Sequence, residues 1–130
     1  MSINLTSAVT FLYFDDLNNA RRFFSDGLRL ETVYDPGWAC IYRLSGNSFI
    51  GAVDNKKGSI EVKSRSGVLI SLTVSDIDEA YEHVKKIGVS DLSDIKRVKD
   101  IDLESFFFTG PEGYKFEVER FTTAELRAIF

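Results

Sequence analysis

The first part of the chain combines apolar runs with one helical pattern. Residues 8–14 are almost wholly apolar, which predicts a strand covered on both faces. Asp15 and Asp16 then supply a helix N-cap, and Arg21 and Arg22 lie on the polar face of that helix. The apolar face of the helix consists of Leu17, Ala20, Phe23, Phe24 and Leu28. Three further strands are predicted at residues 30–34, 38–44 and 48–53.

The same pattern returns after a polar connector at residues 54–67, in which residues 60–62 are predicted as a short strand. Residues 68–74 predict a strand, Asp76 caps a second helix, and Gly88 ends it. The apolar face of this helix consists of Ile77, Ala80, Tyr81, Val84 and Ile87. Residues 90–99 are predicted as a charged strand or loop, and residues 103–108 and 114–118 as a closing hairpin.

An internal repeat underlies this recurrence, because residues 14–20 match residues 74–80 at a constant offset. Two copies of a strand–helix–three-strand unit predict an α+β fold built from two βαβββ modules. We therefore expect a single domain over residues 1–130, with modules at about 5–58 and 59–121 and a helical tail at 122–130.

The closing hairpin and the tail carry their own signals. In the turn at residues 110–113, Pro111 presets φ and Gly113 tolerates a positive φ. The tail is predicted to begin with a capping box formed by Thr122 and Glu125. Its apolar side chains are expected to dock on the chain's own sheet or on a second subunit; they are Leu126, Ile129 and Phe130.

Composition narrows the function classes. A formal charge of −4 and a pI near 5.0 argue against a nucleic-acid surface. The local basic cluster of Lys96, Arg97 and Lys99 is interpreted as a solvated loop, since acidic residues flank it. No apolar run is long enough to span a bilayer, and the N-terminus lacks the pattern of a signal peptide. A single Cys40 excludes an internal disulfide, so a cytoplasmic protein is expected.

Three segments resemble the vicinal-oxygen-chelate superfamily, which includes glyoxalase I, bleomycin-resistance proteins and extradiol dioxygenases. FLYFDDLNNARRFFSDGLRL resembles its first strand and helix, LTVSDIDEAYEHVKKIGV its second copy, and TGPEGYKFEVERF its closing hairpin. The resemblance covers nearly the whole chain and implies curved mixed sheets that enclose a cleft, usually in a homodimer. One departure is Arg29, which stands where a Gly usually follows the first helix.

A second departure concerns the metal. In metal-dependent members the resemblance places ligands on the first and last strands of each module. Those positions fall on Val9, Leu69, Gly51 and Glu117, of which Glu117 alone has a ligand-capable side chain. Zn²⁺, Fe²⁺ or Ni²⁺ needs at least three protein donors. The single His83 lies off the apolar face of its helix and is expected to be exposed. We therefore predict no transition metal and no other cofactor.

Strand alternation predicts which side chains face a pocket. If Val9 faces the cleft, parity adds Phe11, Tyr13, Phe49, Gly51, Val53, Leu69, Ser71, Thr73 and Glu117. This set is apolar and aromatic with a few polar groups, which is typical of small-molecule sites, although the same residues could simply fill a core. Trp38, after a Pro-Gly turn, is either a lid or stacking residue or plain packing, and Cys40 is expected to be buried and inert.

Glu117 stands mid-strand, where a charge is costly to bury unless it is paired. It is interpreted as a structural carboxylate that is either exposed or paired with an arginine such as Arg43 or Arg120, as a pocket anchor for a polar or cationic group, or as a general base. As a base it would need an oxyanion donor, for which Tyr13 and Arg43 qualify by residue type.

Three functions remain open at this point. The first is a metal-free protein that sequesters a small, partly aromatic or cationic organic molecule. The second is a lyase, isomerase or dioxygenase that uses Glu117 as metal ligand or general base. The third is a structural or interaction module that uses its apolar tail as a contact surface.

Overall fold

The computed structural model describes residues 3–130, except for the side chain of Lys99. It contains two four-stranded mixed sheets, each with a helix on one face. The chain divides into two compact units between Ser64 and Arg65. Each unit is a βαβββ module, so the predicted α+β fold is confirmed.

The first unit contains four strands and one helix. The strands are β1 (Ala8–Phe14), β2 (Glu31–Tyr34), β3 (Ala39–Ser45) and β4 (Ser48–Asp54). Helix α1 (Leu17–Arg21) begins at the N-cap Asp16 and continues as a π-helical segment, Arg22–Gly27. The sheet order is β1-β4-β3-β2, in which β1 runs parallel to β4 and the other pairs are antiparallel.

The core of the first unit lies between its helix and one face of its sheet. The ring of Phe24 meets Phe14 edge-on, with centroids 6.1 Å apart, and packs on Tyr42 at 5.3 Å. Burial of these large rings contributes to the hydrophobic stabilisation of the unit. The other buried side chains around them are Leu12, Leu17, Ala20, Phe23, Cys40, Ile50 and Ala52.

Two expectations about this unit are wrong. Strand β1 is not covered on both faces, because Val9 and Phe11 are exposed while Leu12 and Phe14 are buried. Arg21 does not simply face solvent. Its guanidinium forms an ion pair with Asp35 at 2.9 Å and also donates to the carbonyl of Gly37 at 2.9 Å. A side chain on the polar face of α1 therefore holds the loop between β2 and β3.

The second unit repeats the plan. Its strands are β5 (Leu69–Thr73), β6 (Lys96–Val98), β7 (Leu103–Thr109) and β8 (Lys115–Phe121), in the order β5-β8-β7-β6 with β5 parallel to β8. Helix α2 (Ile77–Ile87) begins at the N-cap Asp76 and ends at Gly88, whose φ of 81° satisfies the left-handed C-cap. The ring of Tyr81 on α2 meets Phe106 edge-on at 5.0 Å, and Phe108 stacks on Phe116 at 5.1 Å.

The turn between β7 and β8 contains two residues with a positive φ, only one of which is a glycine. Pro111–Gly113 form a 3₁₀ turn in which Gly113 has a φ of 87° and Glu112 a φ of 59°. The carboxylate of Glu112 pairs with Arg65 at 3.1 Å, so a side chain from the start of this unit holds the turn.

The tail helix α3 (Ala124–Arg127) begins one residue later than predicted. Its N-cap is Thr123, which accepts from the Leu126 N–H at 3.3 Å, whereas Thr122 donates its hydroxyl to the carbonyl of Asp102 at 2.8 Å. The predicted capping box is therefore wrong. Beyond the helix, the Phe130 ring stacks on Phe121 of β8 with centroids 4.5 Å apart, so the tail packs on its own sheet.

The polar segments also differ from expectation. Residues 60–62 form no strand, and residues 90–99 contain a short strand, β6, after an irregular stretch. Lys96 and Arg97 of the predicted basic cluster are exposed there. The side chain of Lys99, the third member of that cluster, lies outside the described part of the chain. Within residues 3–130, no helix is both long and apolar enough to cross a membrane.

Candidate functional site

The face of the first sheet opposite its helix carries the pocket residues predicted for that module. Strand register sets Val9 opposite Phe49, Phe11 opposite Gly51, and Tyr13 opposite Val53. Residues that pair in register point to the same face, so this set forms one surface. Val9 and Phe11 are 37% and 46% exposed, and the surface is therefore open around them.

Phe11 lies across the backbone of Gly51. A Cβ atom built on Gly51 would stand 2.6 Å from Cε1 of the Phe11 ring and closer still to Cδ1. Because Cβ contacts do not fall below 3.0 Å, a side chain at position 51 and the Phe11 ring in this position exclude one another. The absence of a side chain at Gly51 leaves the space that one edge of the Phe11 ring occupies.

Tyr13, at the far end of the same face, is a buried packing residue. Its hydroxyl accepts from the Ser59 N–H at 2.9 Å, and its ring lies so close to Gly58 that a Cβ there would meet Cζ at 2.6 Å. The connector after β4 therefore covers this end of the surface, together with the buried side chains Ala39 and Val53 and the half-buried Val62.

The remaining candidates of the first unit lie on or next to the central strands β3 and β4. The guanidinium of Arg43 stands 5.0 Å above the Phe49 ring and pairs with Glu31 at 3.1 Å. Arg43 is thus committed to a cation–π contact and an ion pair in its own sheet. Trp38 precedes β3 and is 47% exposed, so it is available for stacking and is not a core residue.

The corresponding face of the second sheet is polar. Register sets Ser71 opposite Glu117, and the Ser71 hydroxyl donates to Glu117 Oε1 at 2.8 Å. Thr73 stands in the same way opposite Glu119 and donates to it at 3.3 Å. Leu69 lies on the same face and is exposed. The site residues predicted for this module therefore share one surface.

Sequence reasoning missed two members of this surface. Glu119 lies two residues after Glu117 on β8, and Phe107 pairs in register with Glu117 and is 43% exposed. Both follow from strand alternation and pairing, once the extent of β7 and β8 is known. Burial, and then the charge of Glu117, raise the pKa of Glu119. A carboxyl with a raised pKa beside a second carboxyl and an open ring is a polar anchor of the kind found in binding sites.

Neither arginine proposed as a partner of Glu117 is used in that way. Arg120 pairs with Glu104 at 3.3 Å and donates to the carbonyl of Ser75 at 3.1 Å, while Arg43 pairs with Glu31. Glu117 is instead held by the Ser71 hydroxyl.

The positions at which metal-dependent relatives would carry ligands do not fit a transition metal. Val9 and Leu69 have no donor atom, Gly51 has no side chain and is covered by Phe11, and Glu117 alone offers oxygen. Among the described residues, no three His, Cys, Asp or Glu side chains come together as a metal site. The prediction that His83 is exposed is wrong, since it is half-buried on α2.

A separate group of polar side chains in the first unit comprises Cys40 and Tyr42, which are buried, and the partly exposed ion pair of Arg21 with Asp35. The Cys40 thiol is buried as predicted, and the Tyr42 hydroxyl two residues along β3 is buried with it. Burial, together with the neighbouring Cys40, raises the pKa of Tyr42. Although burial opposes its charged form, Asp35 has a lowered pKa because Arg21 and the Gly37 N–H donate to it. This cluster fixes α1 to the sheet.

Comparison with known proteins agrees with this architecture. The fosfomycin resistance protein FosX from Listeria monocytogenes superposes with a TM-score of 0.71 at 20% identity, covering 98% of this chain and 99% of that one. A lactoylglutathione lyase from Agrobacterium tumefaciens gives 0.69 at 20% identity, covering 90% of this chain and 95% of that one. A superfamily member from Sphaerobacter thermophilus gives 0.75 at 20% identity, covering 92% and 99%. These likenesses establish the fold.

No curated protein sequence matches the chain. The family model for the Glyoxalase/Bleomycin resistance protein/Dioxygenase superfamily matches residues 6–118, which is most of its length. The chain therefore belongs to the Glyoxalase/Bleomycin resistance protein/Dioxygenase superfamily.

Proposed function

We propose that this protein binds a small organic molecule without a transition metal, at the sheet face opposite the helix within a unit. The observation that carries the proposal is the position of the Phe11 ring over Gly51. The ring occupies the space in which a metal-dependent relative would need a ligand side chain. These faces also carry charged side chains: the Arg43–Glu31 ion pair lies on the first sheet, and Lys115 lies on the second beside Glu117 and Glu119.

The ligand class follows from the chemistry of the two faces. Exposed apolar side chains on the first face suit an apolar or aromatic group. The two neighbouring carboxylates on the second face, with Phe107 beside Glu117, suit a cationic or hydrogen-bond-donating group. We therefore propose sequestration of a small molecule that is aromatic, cationic or both.

A thermal-shift screen tests this function. Compounds grouped by charge and aromaticity are screened against the purified protein with and without EDTA, and hits are repeated on Glu117→Gln and Phe11→Ala. Hits that persist in EDTA and weaken in either variant support the proposal. Stoichiometric Zn, Fe or Ni in the purified protein that is lost in Glu117→Gln would overturn it, as would a screen with no hit.

An enzymatic role is the second candidate, favoured by the raised pKa of Glu119 beside Glu117. A pair of carboxyls whose environments differ can divide acid and base roles. Turnover of glyoxalase or dioxygenase substrates distinguishes this enzymatic role from sequestration. The assay is run with and without divalent metal, because Glu117 would act either as a general base or as a metal ligand.

We also propose that the protein is a homodimer that resides in the cytoplasm. Strands β1 and β2 are the edges of the first sheet, and exposed edges are usually covered in native proteins. The exposed side chains of Tyr34 and Trp38 add apolar surface near β2. Light scattering that gives a monomer at micromolar concentration would refute the dimer.

A further inference from the structure

We infer that Phe11 is the specificity-determining residue of the proposed site and selects ligands with a planar aromatic group. Its ring occupies the space that a side chain at Gly51 would fill, and this mutually exclusive contact is called the lock. The ligand preference rests on the proposed function, whereas the lock between Phe11 and Gly51 is a property of the fold alone. The two halves can therefore be tested apart.

The lock arises from strand register. Phe11 and Gly51 are direct partners on the parallel strands β1 and β4, so the ring lies across the neighbouring strand over the glycine. A Cβ at position 51 would meet two atoms of the ring inside 3.0 Å, and either the ring or the strand would have to move. Because Phe11 is half-exposed, the ring can make room only by leaving this position and losing its contact with the strand.

The opposite side of the ring faces outward. Phe11 is 46% exposed although it is seated on the sheet, and its neighbour Val9 is 37% exposed. The second aromatic ring on this strand pair, Phe49, already carries the Arg43 guanidinium over one face. Of the two rings, Phe11 therefore presents the more open aromatic surface. An exposed aromatic ring favours an aromatic partner through offset or edge-on contact, which a saturated ring of equal size does not gain.

Folding equilibria test the lock. We expect Gly51→Ala to lower the folding equilibrium constant by about three- to tenfold, since the half-exposed ring can move aside but loses its contact with the strand. In a Phe11→Ala background the same substitution should cost less than about threefold, because the obstructing ring is gone. The matched control is Gly51→Ala in a Val33→Ala background, which truncates another exposed apolar residue of the same sheet and should leave the cost unchanged. Equal costs in all backgrounds would overturn the lock.

Paired probes test the selectivity. Benzyl alcohol and cyclohexylmethanol, which have similar size but differ in planarity, are titrated into the full chain and followed by amide NMR shifts. We expect the aromatic probe to bind about 2- to 10-fold more tightly, the range that aromatic contacts supply. Phe11→Leu should remove this preference, and Tyr34→Leu, an exposed aromatic on β2, should keep it.

The outcomes separate the inference from the function. If the preference is absent, or survives in Phe11→Leu, the assignment of Phe11 falls, while screen hits that bind elsewhere would leave the proposed function standing. If the screen gives no hit at all, the function falls, and the folding equilibria still decide whether Phe11 and Gly51 are locked.

Discussion

The Ser71 hydroxyl donates to Glu117 Oε1 at 2.8 Å across the parallel pair β5–β8. This bond joins the first strand of the second module to its last strand, on the face opposite α2. It orients the one carboxylate that both the sequence and the structure single out. A ligand that pairs with Glu117 would therefore bind a carboxylate that is already oriented, which lowers the entropy cost of binding.

The Ser71–Glu117 bond should be measurable as a coupling energy. We expect Ser71→Ala to lower the free energy of unfolding by about 1 kcal/mol, because the bond goes to a charged acceptor but is partly exposed to water. The same substitution in a Glu117→Gln background should cost less, since a neutral acceptor binds the hydroxyl more weakly. Urea denaturation of the four proteins gives the coupling.

Ser48→Ala, in an exposed strand position of the first sheet, serves as the control and should change the free energy of unfolding by less than about 0.5 kcal/mol. A cost for Ser71→Ala that is identical in both backgrounds would show that the bond does not form in solution.

Glu119 should give the protein a distinctive pH dependence. A carboxyl whose pKa is raised in the folded state binds its proton more tightly there than in the unfolded chain, so its contribution to stability falls as pH rises above the ordinary value of 4.5. We therefore expect Glu119→Gln to raise the unfolding temperature at pH 7 and to change it little at pH 4. Scanning calorimetry at the two pH values measures this difference.

Carboxyl NMR gives an independent measurement on the same residue. Burial is the larger cause of the raised pKa of Glu119 and the charge of Glu117 the second, so Glu117→Gln should lower that pKa without abolishing its elevation. Glu104→Gln, which changes a carboxylate paired with Arg120, should leave it unchanged. A pKa of Glu119 that ignores Glu117→Gln would contradict the proximity of the two carboxylates.

The Arg21–Asp35 ion pair should stabilise the protein most above the ordinary pKa of Asp35. Because the pKa of Asp35 is lowered in the folded state, its contribution is present above about 3.8 and lost as pH falls below that value. We expect Arg21→Gln to cost about 1 kcal/mol at pH 7, since the pair is only half-buried, and less near pH 3.

Urea denaturation at both pH values tests this, with Arg22→Gln as the control. Arg22 is exposed and one residue further along the same helical segment. A cost for Arg21→Gln that is independent of pH would assign its role to packing and to the bond with the Gly37 carbonyl.

Arg29 offers a stabilising substitution. It follows the first helix with a φ of 60°, a conformation that costs a non-glycine residue about 1–2 kcal/mol. Glycine removes that strain but adds backbone freedom in the unfolded chain. We expect Arg29→Gly to raise the free energy of unfolding by about 0.5 kcal/mol, measured by urea denaturation.

Two comparisons control this prediction. Arg29→Ala retains the strain and should be close to neutral, while Gly88→Ala introduces the same strain at the C-cap of α2 and should destabilise by about 1 kcal/mol. Destabilisation by Arg29→Gly would mean that the arginine side chain contributes more than its backbone costs.

The sequence by itself determined the two modules, their helices and the residues that share each sheet face. These features depend on local periodicity and capping: Asp16 and Asp76 cap the helices as predicted, and Gly88 ends the second one. The extent of β1 also follows from its almost wholly apolar run at residues 8–14, bounded by Asp15 and Asp16.

Tertiary structure decided what those residues do. Alternation predicted that Phe11 and Tyr13 share a face, but only strand register and the path of the connector left Phe11 open on Gly51 and buried Tyr13 under Ser59. In the same way, Arg21 was predicted to face solvent and instead holds Asp35, a partner remote in sequence. Contacts between residues far apart in the chain depend on register and loop paths, which local pattern does not encode.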